Sequence, residues 1–320
     1  MRTREQEVAP LVNLSEISEI ELVILKRMRE FTLGEHRSLF HGSGFDFVGL
    51  RNWEAGDRFE TIDWAQSSLT NFAPLVVRDF EQPSTAGVVV IADHSRSTRC
   101  GVDALPEGMV GPAAARGNVL IAHAVARAIA TIGMSAVFFQ DSFGLITFHG
   151  GFERLQAIRP RIGKGQVIHC VDAYQYEQNL EELKQTESLS GTLAGYLRKT
   201  SLVPVVSDFL FDDVDPVIDE LARLDVHHDV FLVIVDATFA YRLPAVSAGW
   251  VEAVDVETGR SRVVSRGQLA GMADRVRAWQ DQVEAKAHAA GLDALRLGLD
   301  DTRSDIALTE FAVERRLRKR

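Results

Sequence analysis

The residues with the clearest chemical potential lie where two predicted buried strands end. One strand ends at Asp93, inside the string Asp93-His94-Ser95-Arg96-Ser97, and a second ends at Asp208, while Thr192 opens a predicted helix. Alternate residues of a loop can turn their oxygens toward one point, and open α/β sheets bind ligands beyond the carboxyl ends of their strands. We therefore expect five side chains to converge there: Asp93, Ser95, Ser97, Thr192 and Asp208.

This set of oxygen ligands favours a metal. Carboxylates combined with hydroxyl groups suit a hard divalent cation that keeps some of its waters, so we expect Mg²⁺ or Mn²⁺ as the cofactor. Ser190 and Thr200 lie close enough in the chain to be alternatives to Thr192. His94 and Arg96 occupy the intervening positions and should point away from the cation, where they either contact a partner or are solvated.

A second polar and aromatic cluster precedes this region. It comprises Arg51, Asp57, Asp63 and Trp64. Either it forms a partner surface, or it forms an internal network of ion pairs and stacking that attaches this part of the chain to the sheet. We favour the structural interpretation, because arginine pairs well with carboxylates in partly buried sites.

Two further charged segments have alternative interpretations. His227-His228-Asp229 resembles a second metal site, but we favour a solvated loop. The C-terminal segment from Glu314 to Arg320 resembles a nucleic-acid-binding tail, but we interpret it as a cationic helix end, with Phe311 and Leu317 against the core.

The elements that must position these residues follow from the apolar pattern. Helical spacing predicts an amphipathic helix over 14–31 with Ser15 as its N-cap, and residues 34–81 are predicted to form a non-helical, β-rich extension. From Pro83 onward, strands and helices alternate, as in a mostly parallel sheet covered on both faces. We predict an extension over 1–84 and an α/β domain over 85–320, with an antiparallel edge strand after Gly150-Gly151 and a β insertion at about 240–267.

Composition excludes several classes of function. The 35 Lys and Arg residues against 45 Asp and Glu give a net charge of −10, which disfavours nucleic acid and anionic membranes as partners. The apolar runs are strand-sized, so no transmembrane segment is predicted, and the charged N-terminus is unlike a secretion signal. Without a secretion signal we expect a cytoplasmic protein. The two cysteines form no metal-binding or disulfide pattern, so we expect free thiols.

The order of the motifs resembles a known family. Asp93, Ser95, Ser97, Thr192 and Asp208 are similar to the metal-ion-dependent adhesion site of von Willebrand factor A (VWA) domains. Within that superfamily, residues 40–320 resemble the domain-of-unknown-function-58 proteins, through strings that include Gly44–Arg51, Ala55–Arg58, Gly144–Phe148, Ser207–Phe209 and Asp255–Gly259. The resemblance implies a VWA-like, Rossmann-type sheet and association with MoxR-type AAA+ ATPases. The long loop over 98–117 departs from the family pattern and bears on how open the metal site is.

Three classes of function follow from this interpretation. The first is a non-enzymatic interaction module whose cation is completed by an acidic side chain of a protein partner. The second is a Mg²⁺-dependent phosphoryl-transfer or hydrolytic enzyme using the same crevice, and the third is a scaffold. The sequence has no phosphate-binding Gly-x-x-x-x-Gly-Lys loop, no His-Glu-x-x-His motif and no Gly-x-Ser-x-Gly elbow. We therefore predict the interaction module and no catalytic residues.

Overall fold

The computed structural model describes residues 10–33, 46–54, 62–69, 71–81, 87–102, 119–242, 249–269, 271–298 and 300–318. These residues divide into two compact units, one made of Met1–Arg27 with Ala86–Arg320 and the other of Met28–Thr85. The extension predicted over 1–84 is thus divided between the units, because the first part of its helix groups with the larger one.

Helix α1 (Leu14–Leu33) covers the predicted amphipathic segment and buries Ile17, Ile20 and Ile24. Its N-cap is Asn13, and the prediction of Ser15 is wrong. The Asn13 side chain accepts a hydrogen bond from the Glu16 N–H at 3.0 Å, and the Glu16 carboxylate accepts one from the Asn13 N–H at 2.9 Å. This reciprocal capping box satisfies two backbone donors, which Ser15 in the first turn could not do.

The smaller unit contains an antiparallel pair and a short helix. Its elements are β1 (Asp46–Asn52), α2 (Trp64–Leu69) and β2 (Val76–Glu81). The prediction of a non-helical segment is wrong for α2, because the Asp63 carboxylate accepts hydrogen bonds from the N–H groups of Ala65 and Gln66, each at 3.1 Å, and so caps the helix. Trp64 is 59% exposed, so its ring lies outside any buried stacking network. Asp57 and the side chain of Arg51 lie outside the described residues.

The larger unit is built on a seven-stranded sheet. Its strands, together with two short flanking pairs, are β3 (Gly87–Asp93), β4 (Gly101–Val102), β5 (Val119–Leu120), β6 (Ser142–His149), β7 (Arg154–Ile162), β8 (Glu181–Glu182), β9 (Ser201–Ser207), β10 (Asp229–Val235), β11 (Trp250–Val254), β12 (Ser261–Ser265) and β13 (Asp293–Leu297). The order across the sheet is β13-β10-β9-β3-β6-β7-β8. Neighbours from β13 to β6 run parallel, whereas β7 is antiparallel to β6. The predicted mostly parallel α/β sheet is confirmed, and the turn at Gly150-Gly151 joins β6 to β7 as expected.

Helices surround this sheet. They are α3 (Ile121–Phe138), α4 (Lys164–Tyr176), α5 (Leu189–Tyr196), α6 (Val214–Asp225), α7 (Arg266–Leu269), α8 (Met272–Ala289) and α9 (Asp301–Arg318). Among the described residues, α3 is long and apolar enough to cross a membrane by length and composition. However, 78% of it is buried inside the fold, so this is weak evidence for a membrane span. Cys100 and Cys170 are free thiols, as predicted.

The C-terminal helix is fixed to the sheet by Arg315. Its Nε donates to Asp229 at 2.9 Å, and its guanidinium group also pairs with Asp293 and lies 5.2 Å from the Phe231 ring centroid. Phe311 packs against Phe231 at a ring distance of 5.1 Å, in agreement with the predicted core contact. Asp229 is 5% exposed and forms an ion pair with Arg315 on the sheet, so the interpretation as a solvated loop is wrong for this residue. Arg315 has a structural role.

A buried ion pair joins α3 to α9 and provides a test of the packing. The Arg127 side chain donates to Asp305 at 2.6 Å, and both residues are at most 5% exposed. We expect Asp305→Ala to lower the free energy of unfolding by about 3 kcal/mol or more, because it removes the carboxylate that accepts the hydrogen bonds of the buried Arg127 guanidinium group. Urea unfolding measures the change.

Arg303→Ala is the matched control, since its side chain is 89% exposed. This substitution should lower the free energy of unfolding by less than about 1 kcal/mol. Equal losses for the two variants would contradict the assignment of Arg127 and Asp305 as a buried contact that stabilises the fold.

Candidate cation-binding cleft

The candidate site lies where the strand order of the sheet reverses. From β3 the chain continues to β6 on one side, and it returns later to place β9 on the other side. Ala92 pairs with Val206 in the β3–β9 register, so Asp93 and Ser207 end neighbouring strands at the same edge. In open α/β sheets this switch point forms the ligand-binding crevice.

Asp93 is held rigidly at this edge, with 1% of its surface exposed. Its carboxylate accepts hydrogen bonds from the Ser207 hydroxyl at 2.6 Å and from the Ser95 N–H at 2.8 Å. The hydroxyl group of Tyr174, on α4, donates to the Asp93 carbonyl at 2.8 Å. Burial raises the pKa of Asp93, and the hydrogen bonds from Ser207 and Ser95 oppose this rise.

Asp208 is the second buried carboxylate, also 1% exposed. Its Oδ1 accepts a hydrogen bond from the Leu210 N–H at 3.0 Å, whereas its Oδ2 has no hydrogen-bond partner among the described residues. Burial, together with the negative charge of Asp93, raises the pKa of Asp208 to about 7. The buried Gln280 side chain donates to the Asp208 carbonyl at 3.0 Å and keeps the strand end in place.

The two serines of the motif line the same cleft. Ser95 is buried and precedes a short 3₁₀ helix at Arg96–Arg99, where its carbonyl accepts a hydrogen bond from the Thr98 hydroxyl at 2.7 Å. Ser97 is partly exposed, in the first turn of that helix. The structure therefore brings four of the five predicted ligands to one cleft: Asp93, Ser95, Ser97 and Asp208.

Thr192 is not among the residues that line this cleft. Its hydroxyl group donates to the Ser188 carbonyl at 3.0 Å and accepts from the Thr186 N–H at 2.9 Å, so its hydrogen bonds are made within the turn before α5. The alternative Ser190 binds the carboxylate of Glu220, and Thr200 is exposed and likewise not among the lining residues. Most of the loop over 98–117 lies outside the described residues.

The two intervening residues differ in environment. His94 is 4% exposed, and its Nε2 donates to the Tyr174 carbonyl at 2.7 Å, so the interpretation of His94 as a partner-contacting or solvated residue is wrong. The physical reason is that α4 packs over it, and burial lowers the pKa of its imidazole. Arg96 is exposed, as the motif predicts.

The largest feature that the site prediction missed is the tip of the β11–β12 hairpin. The Glu257 carboxylate accepts a hydrogen bond from the Ser97 N–H at 2.7 Å, across 160 residues of sequence. Asp255 and Thr258 line the cleft from the same tip, while Glu153, Asp212 and Asp213 line it from other loops. The sequence signal was the turn Glu257-Thr258-Gly259, which predicts a hairpin but gives no indication of where its tip lies.

The cleft has a volume of about 890 Å³, and every charged residue among those that line it is acidic. Within the described part of the chain, no group of three His, Cys, Asp or Glu side chains is close enough to hold a metal ion. Any cation here would therefore depend on Asp93 and Asp208, supplemented by serine hydroxyls and waters. The unpartnered Oδ2 of Asp208 is the atom that such a cation would satisfy.

Fold and site define an α/β protein with an acidic cleft at the switch point of a mostly parallel sheet. Its sequence matches the family described as "Protein of unknown function DUF58" over residues 49–286, and the chain belongs to that family. A comparison with curated proteins finds no significant match.

Solved structures match this chain at low sequence identity. BatB from Bacteroides thetaiotaomicron has 12% identity and a TM-score of 0.40, covering 72% of this chain and 99% of its own. An aerotolerance-related membrane protein from Bacteroides fragilis has 12% identity and a TM-score of 0.41, with the same coverage. The PilB minor pilin from Streptococcus sanguinis has 7% identity and a TM-score of 0.39, covering 75% of this chain and 64% of its own.

The raised pKa of Asp208 predicts how stability depends on pH in metal-free buffer. An acid whose pKa is about 7 in the folded state and near 3.8 when unfolded binds more protons folded, so stability falls as pH rises from about 4 to about 7. Asp208→Asn removes this ionisation. We expect the variant to be more stable than wild type at pH 8, by at most about 4 kcal/mol, and to lose this advantage near pH 4.

Denaturant unfolding in chelator at several pH values measures this effect. Asp212→Asn, an exposed carboxylate of the same cleft, serves as the control and should follow the wild-type profile. The prediction would be refuted if the difference in unfolding free energy between Asp208→Asn and wild type did not change with pH.

Proposed function

We propose that this protein is a VWA-like, non-enzymatic interaction module that binds a protein partner through a divalent cation held in the acidic cleft. One observation carries the proposal: two fully buried carboxylates end neighbouring strands, and one of them has an oxygen with no partner among the described residues. Leaving a buried ionised oxygen unsatisfied is costly, and a cation removes that cost. The resemblance of the Asp-x-Ser-x-Ser motif to a metal-ion-dependent adhesion site supports the same conclusion.

The side chains in the cleft fit Mg²⁺ or Mn²⁺. Asp93 and Asp208 would supply negative charge, and Ser95 and Ser97 would supply neutral oxygens, which is the hard-ligand chemistry of these ions. When bound, the ion supplies Lewis acidity and exchangeable water positions. Ser207 orients Asp93 through its 2.6 Å hydrogen bond, and hydrogen bonds of this kind keep ligating carboxylates in place.

The charges of the cleft constrain the partner. A carboxylate of the partner can replace a water on the cation, but Glu153, Asp212 and Asp213 would repel an acidic segment as a whole. We therefore propose a contact segment with one acidic side chain flanked by lysine or arginine. The resemblance to the domain-of-unknown-function-58 proteins makes a MoxR-type AAA+ ATPase the proposed partner, with ATP hydrolysis assigned to that partner and a cytoplasmic location.

Cation binding is the first test. We expect Asp93→Asn and Asp208→Asn to weaken Mn²⁺ binding at least about tenfold each, because each removes one of the two buried charges that face the ion. Titration calorimetry and the paramagnetic signal of Mn²⁺ both measure the affinity. Asp212→Asn is the matched control and should bind nearly as well as wild type, while equal binding by an Asp93→Asn, Asp208→Asn double variant would rule out the site.

Metal dependence of partner binding is the second test. Candidate AAA+ ATPases are captured on wild type or Ser95→Ala, in Mg²⁺ or in chelator, and phosphate release is assayed for each protein alone. We expect capture by wild type only in Mg²⁺, and weaker capture by Ser95→Ala, because the carboxylate contact requires the cation. Partner binding that is insensitive to chelator would refute the proposal that a cation joins the two proteins. Phosphate release by this chain that is lost in Asp93→Asn would instead favour the phosphoryl-transfer or hydrolytic enzyme.

A further inference from the structure

The tip of the β11–β12 hairpin is an ordered turn that carries Glu257. The Asp255 carboxylate accepts hydrogen bonds from the Glu257 N–H at 2.9 Å, the Thr258 N–H at 3.2 Å and the Thr258 hydroxyl at 2.8 Å. Gly259 has a φ of +69°, a conformation that glycine adopts without strain. These local hydrogen bonds therefore order the backbone of the turn that carries Glu257.

The Glu257 side chain contacts the motif loop, which is the segment Asp93–Ser97 at the cleft. Its carboxylate accepts the Ser97 N–H at 2.7 Å, in the same loop as Asp93 and Ser95. Asp208, with its unpartnered buried oxygen, lines the same cleft. The hairpin tip thus presents a carboxylate to the loop that carries Asp93 and Ser95, and a carboxylate is the group that we propose a partner supplies.

The hairpin tip can move out of the cleft without exposing buried core residues. Every residue from Val254 to Val263 is exposed. The negative charge of Glu257 lies in a cleft whose charged lining residues are all acidic, and like charges disfavour this position. Among the described residues, an exposed hydrogen bond from the Ser97 N–H to the Glu257 carboxylate holds the tip against the loop that carries Asp93 and Ser95.

We infer that Glu257 is an internal occupant of the position that receives the partner's carboxylate, so that a partner must displace the hairpin tip to bind. This inference rests on the proposed function. The hairpin then acts as an autoinhibitory contact, and apparent affinity for an acidic segment is reduced by the fraction of molecules in which the tip is bound. A hydrogen bond to a charged group is strong enough to lower the affinity about tenfold.

The test uses the full chain and a defined probe, the peptide acetyl-Lys-Glu-Lys-amide in Mg²⁺. NMR follows the Ser97 amide during the peptide titration and separately measures its hydrogen exchange. In Glu257→Ala we expect faster exchange at Ser97 and about tenfold tighter peptide binding. Glu257→Gln keeps an acceptor oxygen and loses the charge, so it should be intermediate.

Glu252→Ala is the matched control, because it removes an exposed carboxylate from the same hairpin outside the cleft lining. It should leave both measurements unchanged. Unchanged peptide affinity in Glu257→Ala, or an equal gain in Glu252→Ala, overturns the inference.

Mn²⁺ titration of the same samples separates this result from the proposed function. If wild type binds no Mn²⁺, the cation proposal fails and the hairpin inference fails with it. If Mn²⁺ binds through Asp93 and Asp208 while the Glu257 variants match wild type in peptide affinity, only the hairpin inference fails.

Discussion

The rest of this structure depends on the cost of burying two carboxylates side by side. Asp93 and Asp208 are each 1% exposed at the ends of adjacent parallel strands, where neither can be solvated by bulk water. The fold offsets part of this cost with the Ser207 hydroxyl and backbone N–H groups, while Gln280 and Tyr174 fix the strand ends. One oxygen of Asp208 keeps no hydrogen-bond partner among the described residues, and this part of the cost is not offset.

The acidic rim extends this electrostatic character to the surface. Glu153, Asp212 and Asp213 add negative charge around the buried pair, and the hairpin brings Glu257 into the same region. An acidic rim attracts cations and repels an acidic ligand that approaches without a cation. In the proposed function, recognition would therefore depend on the ion and on basic groups in the partner. The β insertion thus adds carboxylates to a cleft that is also lined by the strand ends of the sheet and by other loops.

Local rules predicted the elements of the larger unit well and those of the extension poorly. The buried strands and the turn at Gly150-Gly151 follow from apolar runs and glycine positions, and the structure confirms them. The N-cap of α1 and the existence of α2 were missed, because each depends on which nearby side chain reaches a free backbone N–H group. Asn13 and Asp63 make these bonds, and neighbouring polar residues would have looked equally suitable in sequence.

The sequence by itself determined the sheet, the strand ends that carry Asp93 and Asp208, and the excess of negative charge. Hydrophobic periodicity is a local property of the chain, so the pattern alone is sufficient to place the strands and their ends. Only the tertiary structure decided which hydroxyls face the cleft and which are used elsewhere. Thr192 bonds within its own turn, and Glu257 reaches Ser97 across 160 residues, because hydrogen-bond partners are chosen by distance in space.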